Sequence, residues 1–557
     1  MCPVRVSSSP TRPSPNEVAA LETGARGNPC PCRVRPYTLD MQATSLGHAG
    51  ILIETEQGAI VCDPWFEPAF FGSWFVFPRN DQLAPEVMRR ILGAEYLYIS
   101  HLHADHLDEP WLRAHMPKDV TVLLPGYPTD ELRRTLAEIG FTRFVQTVDA
   151  QLMTLAQDLT VTIYTETSIS DGPGGDSALV VADRTGRVLN QNDCRPHDPS
   201  VFHTDGPVDL HWLQFSGAIW YPMVYEETTE TKKAQAAAKI EAQFARAIQY
   251  VRAVDARAVA PSAGPPCFLD PDLAPYNMVT GDELSIFPDQ REFLRRLHGD
   301  GIESGRFTVP GTTFVIADGT VQVRQPASTA EIHRPYDHKA EYLDRYANDW
   351  ADWMEQHRAQ WHQPTPDLLH TLQAWWEPLM ASAPTLCAAV GAVAVLDLGD
   401  ITIALDFPNA RVRPLNADDE PRYRHTIDRR LVETVVARRA VDWSNALFLS
   451  LRFSAWRDGP FNEYLYNFFK SLSQERMART EAEVRAKRSI DRDNAEVRFG
   501  PYAVQKYCPR RRADLSRFGH LEGHVLTCNL HGWSFDLANG GVCLSSDDSA
   551  IRVRRCS

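Results

Sequence analysis

The chain has 557 residues, which is too long for one ordinary hydrophobic core and indicates about three or four domains. Hydrophobic residues make up 43% and charged residues 23% of the sequence, which excludes a disordered or collagen-like chain. The net charge of −15 produces a field that repels phosphate backbones and anionic lipid heads. Nucleic acid and membrane partners are therefore disfavoured.

The sequence carries no recognisable targeting or membrane-spanning segment. No stretch approaches the roughly 20 consecutive apolar residues of a membrane span, and residues 1–40 contain no apolar run typical of a signal sequence. We therefore expect a cytoplasmic protein. The eleven cysteines are mostly isolated, so each is interpreted first as a buried apolar thiol and not as part of a disulfide framework.

The N-terminal half is predicted to be a tail followed by a layered α/β domain. Residues 1–36 are rich in Pro, Ser and Arg without hydrophobic periodicity, which predicts a disordered tail. Over 41–325, short Val/Ile/Leu runs alternate with Gly/Pro/Asp turns, and strands are expected at 51–54, 59–62, 96–100, 120–124 and 179–182. A helix is expected over 231–254, with an apolar stripe formed by Ala237, Ile240, Phe244, Ile248 and Val251.

Two further segments complete the predicted organisation. Residues 330–490 are predicted to be helical or mixed and rich in tryptophan, with a hairpin over 390–405 that turns at Gly399 and Asp400. Bulky aromatic side chains build cores more often than they bind ligands, so they are assigned to packing. Residues 495–557 combine short strand-like runs with clustered Gly, Cys and His, which predicts a small separate all-β module.

A cluster of metal-ligating side chains directly follows the strand predicted at 96–100. His101, His103, Asp105 and His106 stand together in one short loop. Because a strand end and a tight loop can aim several side chains at one point, they predict a metal site. Imidazole nitrogen and carboxylate oxygen suit zinc, iron and manganese, so the pattern leaves the metal open.

This His-x-His-x-Asp-His run resembles the signature motif of the metallo-β-lactamase superfamily. Gly47, His48 and the hairpin over 51–63 resemble the opening strands of that superfamily, which end at the acidic residue of its first motif, here Asp63. The resemblance implies an α+β fold of the αββα sandwich type. It also makes Asp193, at the end of an Asn-Gln-Asn-Asp run, a carboxylate ligand.

The sequence departs from the hydrolytic members of that superfamily at two places. Where those members usually have another metal-binding histidine, this chain has Asp-Gly-Pro-Gly-Gly-Asp-Ser over 171–177, and a late histidine is also missing near Pro261. Asp171 is therefore an additional candidate ligand. A site poorer in imidazole and richer in carboxylate tolerates iron better than a histidine-rich dinuclear zinc site does, which disfavours simple hydrolysis.

A second constellation lies near the C-terminus, where Cys508 is followed two residues later by Arg510, and Cys528 three residues later by His531. A Rieske cluster takes two thiolates on one iron and two imidazoles on the other, from a Cys-x-His loop and a Cys-x-x-His loop. Three of these four ligands are present, and the surrounding residues resemble a Rieske domain.

Arg510 occupies the position of the missing imidazole. A guanidinium group stays protonated and offers donors instead of a lone pair, so it is normally a poor iron ligand. Three outcomes stay open. The cluster recruits another group, for which His520 and His524 are nearest in sequence; Arg510 ligates; or the module has lost its cluster and persists as a structural domain.

Taken together, a metallo-β-lactamase-like core and a C-terminal Rieske-type module resemble the bacterial UDP-N-acetylmuramic acid hydroxylases, relatives of CMP-N-acetylneuraminic acid hydroxylase. The resemblance runs from Met41 to the end of the chain, and its carriers are segments 62–65, 100–103, 214–222, 261–270, 287–290 and 462–466. It implies hydroxylation of an N-acetyl group on a nucleotide sugar to N-glycolyl, with O₂ as the oxidant.

The implied chemistry sets the cofactors and partners. Non-haem iron, one ion or two, would draw its ligands from the pool His101, His103, Asp105, His106 and Asp193, with zinc as the alternative metal. A [2Fe–2S] cluster on Cys508, Cys528 and His531 would deliver single electrons. Because the chain has no convincing nicotinamide or flavin fingerprint, a separate NAD(P)H-dependent reductase or ferredoxin-type donor is expected.

Candidate substrate-binding residues lie mainly in Gly/Pro-rich loops, where the backbone permits close approach, although tight turns supporting the core explain such loops equally well. These candidates are His48, Ser216, Trp220, Tyr221, Ser262 and Cys267. The middle segment is either a packing platform or a pocket wall that reads the nucleotide. For a diphosphate it offers Arg429, Arg430, Arg438 and Arg439, although exposed arginines usually form only a solvated helix face.

Three other functions compete with this one. The first is a zinc hydrolase of the metallo-β-lactamase superfamily with a degenerate Rieske appendage. The second is a non-catalytic binding protein in which both metal sites are vestigial, which the nearly complete ligand set of the first site disfavours. The third is a diverged hydroxylase that acts on another acetamido substrate.

Overall fold

The computed structural model describes residues 40–168, 174–203, 205–279, 284–459, 461–489, 495–510, 512–530, 532–545 and 550–556. The tail predicted for residues 1–36 lies outside the described residues, as do Asp171 and His531.

Two β-sheets form the centre of the N-terminal region. The strands, in chain order, are β1 (Met41–Gly47), β2 (Gly50–Thr55), β3 (Gly58–Cys62), β4 (Phe75–Val76), β5 (Tyr96–Tyr98), β6 (Thr121–Leu124), β7 (Arg143–Gln146), β8 (Leu152–Thr154), β9 (Thr160–Glu166), β10 (Asp176–Ala182), β11 (Arg187–Asn192), β12 (Leu210–Gln214), β13 (Ala258–Ser262), β14 (Pro266–Cys267), β15 (Thr313–Ala317) and β16 (Thr320–Arg324). One sheet has the order β16-β15-β1-β2-β3-β5-β6-β7 and the other β13-β12-β11-β10-β9-β8, while β4 and β14 pair separately.

The two large sheets pack face to face. Their inner faces share one hydrophobic cluster, to which Ile53 and Ile60 contribute from the first sheet and Ile163, Leu179 and Trp212 from the second. Helices α1 (Pro85–Leu92), α2 (Glu109–His115) and α3 (Glu131–Ile139) cover the outer face of the first sheet. Helix α4 (Thr229–Val254) lies beside the second sheet, and α5 (Gln290–Gly299) packs against it. The predicted αββα sandwich of the metallo-β-lactamase type is confirmed.

Several expected elements differ from the observed ones in detail. The strand predicted at 96–100 ends at Tyr98, and the residues from Ile99 onward belong to the following loop. In α4, Ala237 is exposed although the apolar stripe was expected to bury it, while Gln243 and Arg246 are buried. The buried face of α4 is therefore more polar than the sequence pattern indicated.

The middle segment contains a second α/β layer. Its strands are β17 (Val393–Asp397), β18 (Thr402–Asp406), β19 (Arg411–Pro414), β20 (Tyr423–Ile427) and β21 (Phe453–Arg457), in the order β19-β18-β17-β20-β21. The expected hairpin over 390–405 is present as β17 and β18, paired antiparallel. The helices are α6 (Thr329–Asp337), α7 (Lys339–Ala359), α8 (Leu368–Ser382), α9 (Pro384–Val390), α10 (Arg429–Ala437), α11 (Trp443–Ala446), α12 (Glu463–Phe469) and α13 (Gln474–Ser489).

The C-terminal module consists of two small sheets. Its elements are β22 (Glu496–Phe499), β23 (Tyr502–Gln505), the short helix α14 (Leu515–Phe518), β24 (Gly519–Glu522), β25 (Val525–Cys528), β26 (Trp533–Asp536), β27 (Val542–Cys543) and β28 (Val553–Arg555). Strands β22, β23 and β28 form one sheet, and β24 to β27 form the other. Within the described part of the chain, none of the helices combines the length and the hydropathy needed to cross a membrane.

Candidate metal centre

The loop after β5 brings the predicted ligands to one end of the sandwich. Its turn is closed by hydrogen bonds from the backbone N–H groups of His106 and Leu107 to the carbonyl of His103. Tyr127 donates a hydrogen bond from its hydroxyl to the carbonyl of Ser100, at the start of this loop. The strand end and this closed turn together hold the histidines in a fixed arrangement.

Six metal-ligating side chains gather there in two adjoining groups. One group is His48, Asp105 and His106, the other is His101, His103 and Asp193, and within each the ligand atoms lie within 4.8 Å of one another. The groups meet at His106, whose Nε2 is 3.9 Å from Asp105 Oδ2 and 3.6 Å from Asp193 Oδ1. The five ligands predicted from the sequence are therefore brought together. His48, predicted only as a substrate-binding residue, joins them.

The donor set fits a divalent metal. The nitrogens His101 Nε2 and His106 Nε2 and the oxygens Asp105 Oδ1 and Asp193 Oδ1 are buried without a hydrogen-bond partner among the described residues. Orphaned buried polar atoms of this kind are costly unless a ligand or ion completes them. A mixed set of four imidazoles and two carboxylates suits non-haem iron as well as zinc.

Asp63 holds the ligands in place without joining either group. It lies at the end of β3, and its carboxylate accepts hydrogen bonds from the Ser100 backbone N–H at 2.7 Å and the Ser100 hydroxyl at 2.6 Å. It also accepts one from His106 Nδ1, at 3.0 Å. This contact fixes the tautomer and ring orientation of His106 and leaves Nε2 for the metal, as partners of metal-bound histidines usually do.

Electrostatics at this site favour a bound cation. Burial by itself would lower the pKa of His106, but the carboxylates of Asp105, Asp193 and Asp63 raise it to about 10. Burial, together with the neighbouring His106 and His103, lowers the pKa of His101 well below its usual value. His101 therefore keeps a free lone pair for coordination, while the carboxylates attract positive charge to the place where His106 points.

A cavity beside the metal-ligating groups connects them with the middle segment. It is lined by His101, Leu102, His103, Gly174, Gly175, Asp176, Asp442, Asn445 and Arg476. Three of these residues belong to the middle segment, so part of that segment does form a pocket wall. Asp176, which opens β10, lies with Oδ1 at 3.4 Å from His101 Nδ1. Asp176 belongs to the Asp-Gly-Pro-Gly-Gly-Asp-Ser run over 171–177, but it was not among the residues predicted for the site.

The predicted substrate-binding residues fall into two sets. Ser216 and Ser262 lie near His48: the Ala263 N–H donates to the His48 carbonyl at 3.0 Å, and the Ser216 hydroxyl faces Gly264. Ser262 Oγ is buried with no hydrogen-bond partner among the described residues. The second set lies in or against hydrophobic clusters and comprises Trp220, Tyr221 and Cys267.

Two of the four arginines proposed for a diphosphate, Arg429 and Arg430, are engaged by the middle segment itself. Arg429 pairs with Asp400 and with Glu433, and Arg430 donates to the carbonyl of Arg358 at 2.9 Å. Their guanidinium groups fix helix α10 to its neighbours. Arg429 and Arg430 are therefore engaged locally, while an anion site at the exposed Arg438 and Arg439 stays a prediction.

The C-terminal module buries the two cysteines of the second constellation. Cys508 and Cys528 are 1% and 0% exposed and share a hydrophobic cluster with residues of α4. Burial and then the adjacent Cys528 thiol raise the pKa of Cys508 well above its usual value. Two such thiols side by side fit one iron of a cluster, because metal binding removes their protons.

Arg510 is held by its surroundings. Its Nε lies 3.4 Å from Glu463 Oε2, a carboxylate on α12 with a 3% exposed side chain, and its guanidinium lies 5.4 Å above the ring of Trp533. His520 is exposed, and the side chain of His524 is 58% exposed. Arg510 thus links the cysteine-bearing loop to the middle segment.

Comparison with domain families identifies two parts of the chain. Residues 368–486 match the Rv3818-like, SCP2-like domain, and residues 481–552 match the Rieske [2Fe-2S] domain. The first match covers most of the middle segment, which the sequence had left open between a platform and a pocket wall. The second confirms the expected iron–sulfur cofactor type for the C-terminal module.

Three known proteins show how far the similarity extends. The chain is 42% identical over 525 residues to a Rieske 2Fe-2S iron–sulfur protein of Mycolicibacterium smegmatis, covering 92% of this chain and all of the relative. It is 28% identical over 218 residues to the cytidine monophosphate-N-acetylneuraminic acid hydroxylase of Danio rerio, covering 35% and 34% of the two chains. CmlA, a diiron beta-hydroxylase from Streptomyces venezuelae, is similar at 16% identity and a TM-score of 0.32, covering 51% of this chain and 55% of that one.

Proposed function

The chain belongs to the family of the mycobacterial Rieske 2Fe-2S iron–sulfur proteins, and on this premise we propose that it is an iron-dependent monooxygenase. The proposed reaction converts the N-acetyl group of a nucleotide sugar resembling UDP-N-acetylmuramic acid to N-glycolyl. One O₂, two electrons and two protons are consumed. One oxygen atom enters the new C–OH bond and the other leaves as water. Another acetamido compound is the alternative substrate.

The proposal rests on the two adjoining groups of candidate metal ligands. His101, His103 and Asp193 would hold one ion, and His48, Asp105 and His106 a second. Iron bound there supplies the reductive activation of O₂ that an unreactive C–H bond requires. The chain's own contribution is to orient these ligands through Asp63 and to keep the His101 imidazole neutral.

Helix α4 offers a route for electrons from the Rieske module. Phe244 of α4 shares a hydrophobic cluster with Cys508 and Cys528. On the same helix, the Tyr250 hydroxyl donates to the carbonyl of Pro196 at 2.9 Å, three residues after Asp193. One helix therefore packs in the cluster that contains both cysteines and contacts the loop that carries a candidate iron ligand, which supports single-electron delivery between them.

Turnover with isotopically labelled O₂ tests the proposal. Full-length protein with UDP-N-acetylmuramic acid and a ferredoxin-type donor with its reductase should yield a product carrying one labelled oxygen, detected by mass spectrometry. Removal of an imidazole in His103→Ala should abolish the product. The exposed Asp149→Asn serves as the matched control and should retain it.

A zinc hydrolase with a degenerate Rieske module is the second candidate function. The observation that favours it is Arg510, which stands where a cluster-binding imidazole is expected and contacts Glu463. Activity supported by zinc, equal with and without O₂, would establish the hydrolase and end the oxygenase proposal.

A further inference from the structure

A set of cations extends from the metal centre along helix α4. Arg195 follows Asp193 by two residues and donates a hydrogen bond to Gln214 Oε1 at 3.0 Å. Arg246 is the next cation of this set, and the charges of Arg195 and Asp193 both influence the pKa of its guanidinium group. Lys239 is the third cation of this set. The charges of Arg246, Arg510 and Arg195 influence the pKa of its ammonium group.

Lys239, Gln243, Arg246 and Tyr250 occupy one face of α4, at spacings of four, three and four residues. Tyr250 binds the carbonyl of Pro196 at 2.9 Å, so this face is turned toward the loop that carries Asp193 and Arg195. Gln243 is 1% exposed, and neither its amide nitrogen nor its amide oxygen has a hydrogen-bond partner among the described residues. A largely buried polar stripe therefore faces the loop that carries Asp193.

Arg246 differs from the other buried arginines of the described chain. Three arginines are 8% exposed or less. Arg476 pairs with Glu131 and Asp442, and Arg187 with Asp205. Arg246 has no carboxylate within ion-pair distance among the described residues, and its Nη2 is buried without a hydrogen bond.

Arg195 and Lys239 also lack a carboxylate partner in the described part of the chain. Arg195 donates to Gln214 Oε1 at 3.0 Å, and its Nε is buried without a partner. Burial, followed by the charges of Arg246, Arg510 and Arg195, lowers the pKa of Lys239 to about 7. Like charges brought together away from water are unfavourable unless an anion completes them.

We propose that Arg195, Lys239 and Arg246 form an oxyanion-binding subsite that holds a phosphate or carboxylate group of the substrate beside the metal centre. A planar guanidinium presents paired donors that match either group, and both arginines have such a donor left over. The subsite deepens the proposed function, on which it rests for placing the reacting group at the metal. The ligand class is an acetamido compound that carries an oxyanion.

Anion binding by the full-length, metal-loaded protein tests this subsite without turnover. Inorganic pyrophosphate and D-lactate serve as separate probes in calorimetry, the first for a phosphate source and the second for a carboxylate. At least one should bind the parent, and Arg246→Gln should weaken it about 10- to 100-fold, the range for a charge-assisted contact. Arg252→Gln, which removes a 58% exposed arginine from the same helix, should bind as the parent does.

Melting temperature separates binding from a merely structural role. Arg246→Gln removes an unpaired buried charge, so without anion it should melt at the same temperature as the parent or higher, and the anion should stabilise it less. If Arg246→Gln fails to fold, Lys239→Gln, at the partly buried end of the stripe, tests the subsite in its place. It should show the same loss of affinity for the anion.

No binding of either probe to the parent, or unchanged affinity in the variants, would overturn the subsite. The oxygenase proposal would survive that result, because iron content and oxygen incorporation do not depend on it. Conversely, anion binding by a protein that holds zinc and ignores O₂ would keep the subsite and remove the oxygenase.

Discussion

Asp63 directly follows β3, and its carboxylate orients His106, a candidate metal ligand. Both oxygens are engaged by Ser100 and His106, and Asn192 donates a further hydrogen bond to Oδ2. The residue is 0% exposed. The tautomer of His106 therefore depends on a residue that lies in neither ligand group.

The Asp63→Asn variant tests this positioning role. Loss of the negative partner of His106 should lower metal affinity about 10- to 100-fold, the range for partners of metal-bound histidines. Metal retained after dialysis against graded chelator measures it. The control is Asp149→Asn, an exposed carboxylate that should retain metal as the parent does. Equal retention in Asp63→Asn would show that His106 needs no such partner.

His425 gives the stability of the middle segment a pH dependence. It is 1% exposed and stacks on Phe448 with ring centroids 5.2 Å apart. Burial lowers its pKa to about 4, below the roughly 6.5 of an unfolded chain. Between these values the unfolded chain binds a proton that the folded chain does not. Stability is therefore lost as the pH falls, by about 1.4 kcal/mol per pH unit.

Comparing His425→Gln with the parent isolates this contribution. The fall in melting temperature from pH 7 to pH 5 should be smaller in the variant, since its side chain takes up no proton on unfolding. His298→Gln, at a 75% exposed side chain, should behave as the parent does. An unchanged fall in His425→Gln would assign the acid sensitivity to other groups.

Arg510 follows Cys508 by two residues, so a substitution at this position should change the environment of the iron–sulfur cluster. We expect Arg510→His to alter the electron paramagnetic resonance spectrum of the reduced protein, because an imidazole would become available to the second iron. The exposed Arg512→His, in the same loop, should leave the spectrum unchanged. Identical spectra for Arg510→His and the parent would mean that the second iron takes its nitrogen ligands elsewhere.

At the scale of elements, helix α4 connects the domains through one buried side. Phe244 is 6% exposed and packs with Phe293, ring centroids 5.3 Å apart, in the cluster that contains Cys508 and Cys528. Phe244→Ala should destabilise this contact by about 3–5 kcal/mol through lost burial and the cavity left behind. Melting monitored at the cluster's visible absorbance should shift to lower temperature.

Ala237→Ser on the same helix provides the comparison. The sequence placed Ala237 and Phe244 on one buried stripe, whereas the structure exposes Ala237. The serine variant should therefore melt within about 1 °C of the parent, as surface substitutions usually do. Equal destabilisation by both variants would contradict the observed packing of α4.

The metal ligands and helix α4 show which parts of the site the sequence could predict and which it could not. The His101–His106 run was recognisable because its ligands are consecutive and follow one strand. His48 joins them only because the β1–β2 turn lies beside that loop, 57 residues from Asp105 in the chain. Lys239 and Arg246 carry charges that a helical period assigns to solvent. Arg246 is buried and Lys239 is partly buried because other segments cover that side of α4, which no local pattern reveals.

At the scale of the whole molecule, two metal-binding regions are joined by a segment that belongs to neither. The SCP2-like match spans 368–486, and Asp442, Asn445 and Arg476 from it line the cavity beside the histidines. Glu463 from the same segment contacts Arg510 of the Rieske module. The middle segment thus touches both regions, and the oxygenase proposal requires both to hold iron.

Iron, zinc and acid-labile sulfide, measured together in anaerobically purified full-length protein, test that requirement most directly. We expect two sulfides per chain from the [2Fe–2S] cluster, with iron in excess of the two atoms that the cluster accounts for. The excess iron should disappear in His103→Ala while the sulfide remains. Zinc at the histidine site, with no iron beyond that matched by sulfide, would contradict the proposed oxygenase.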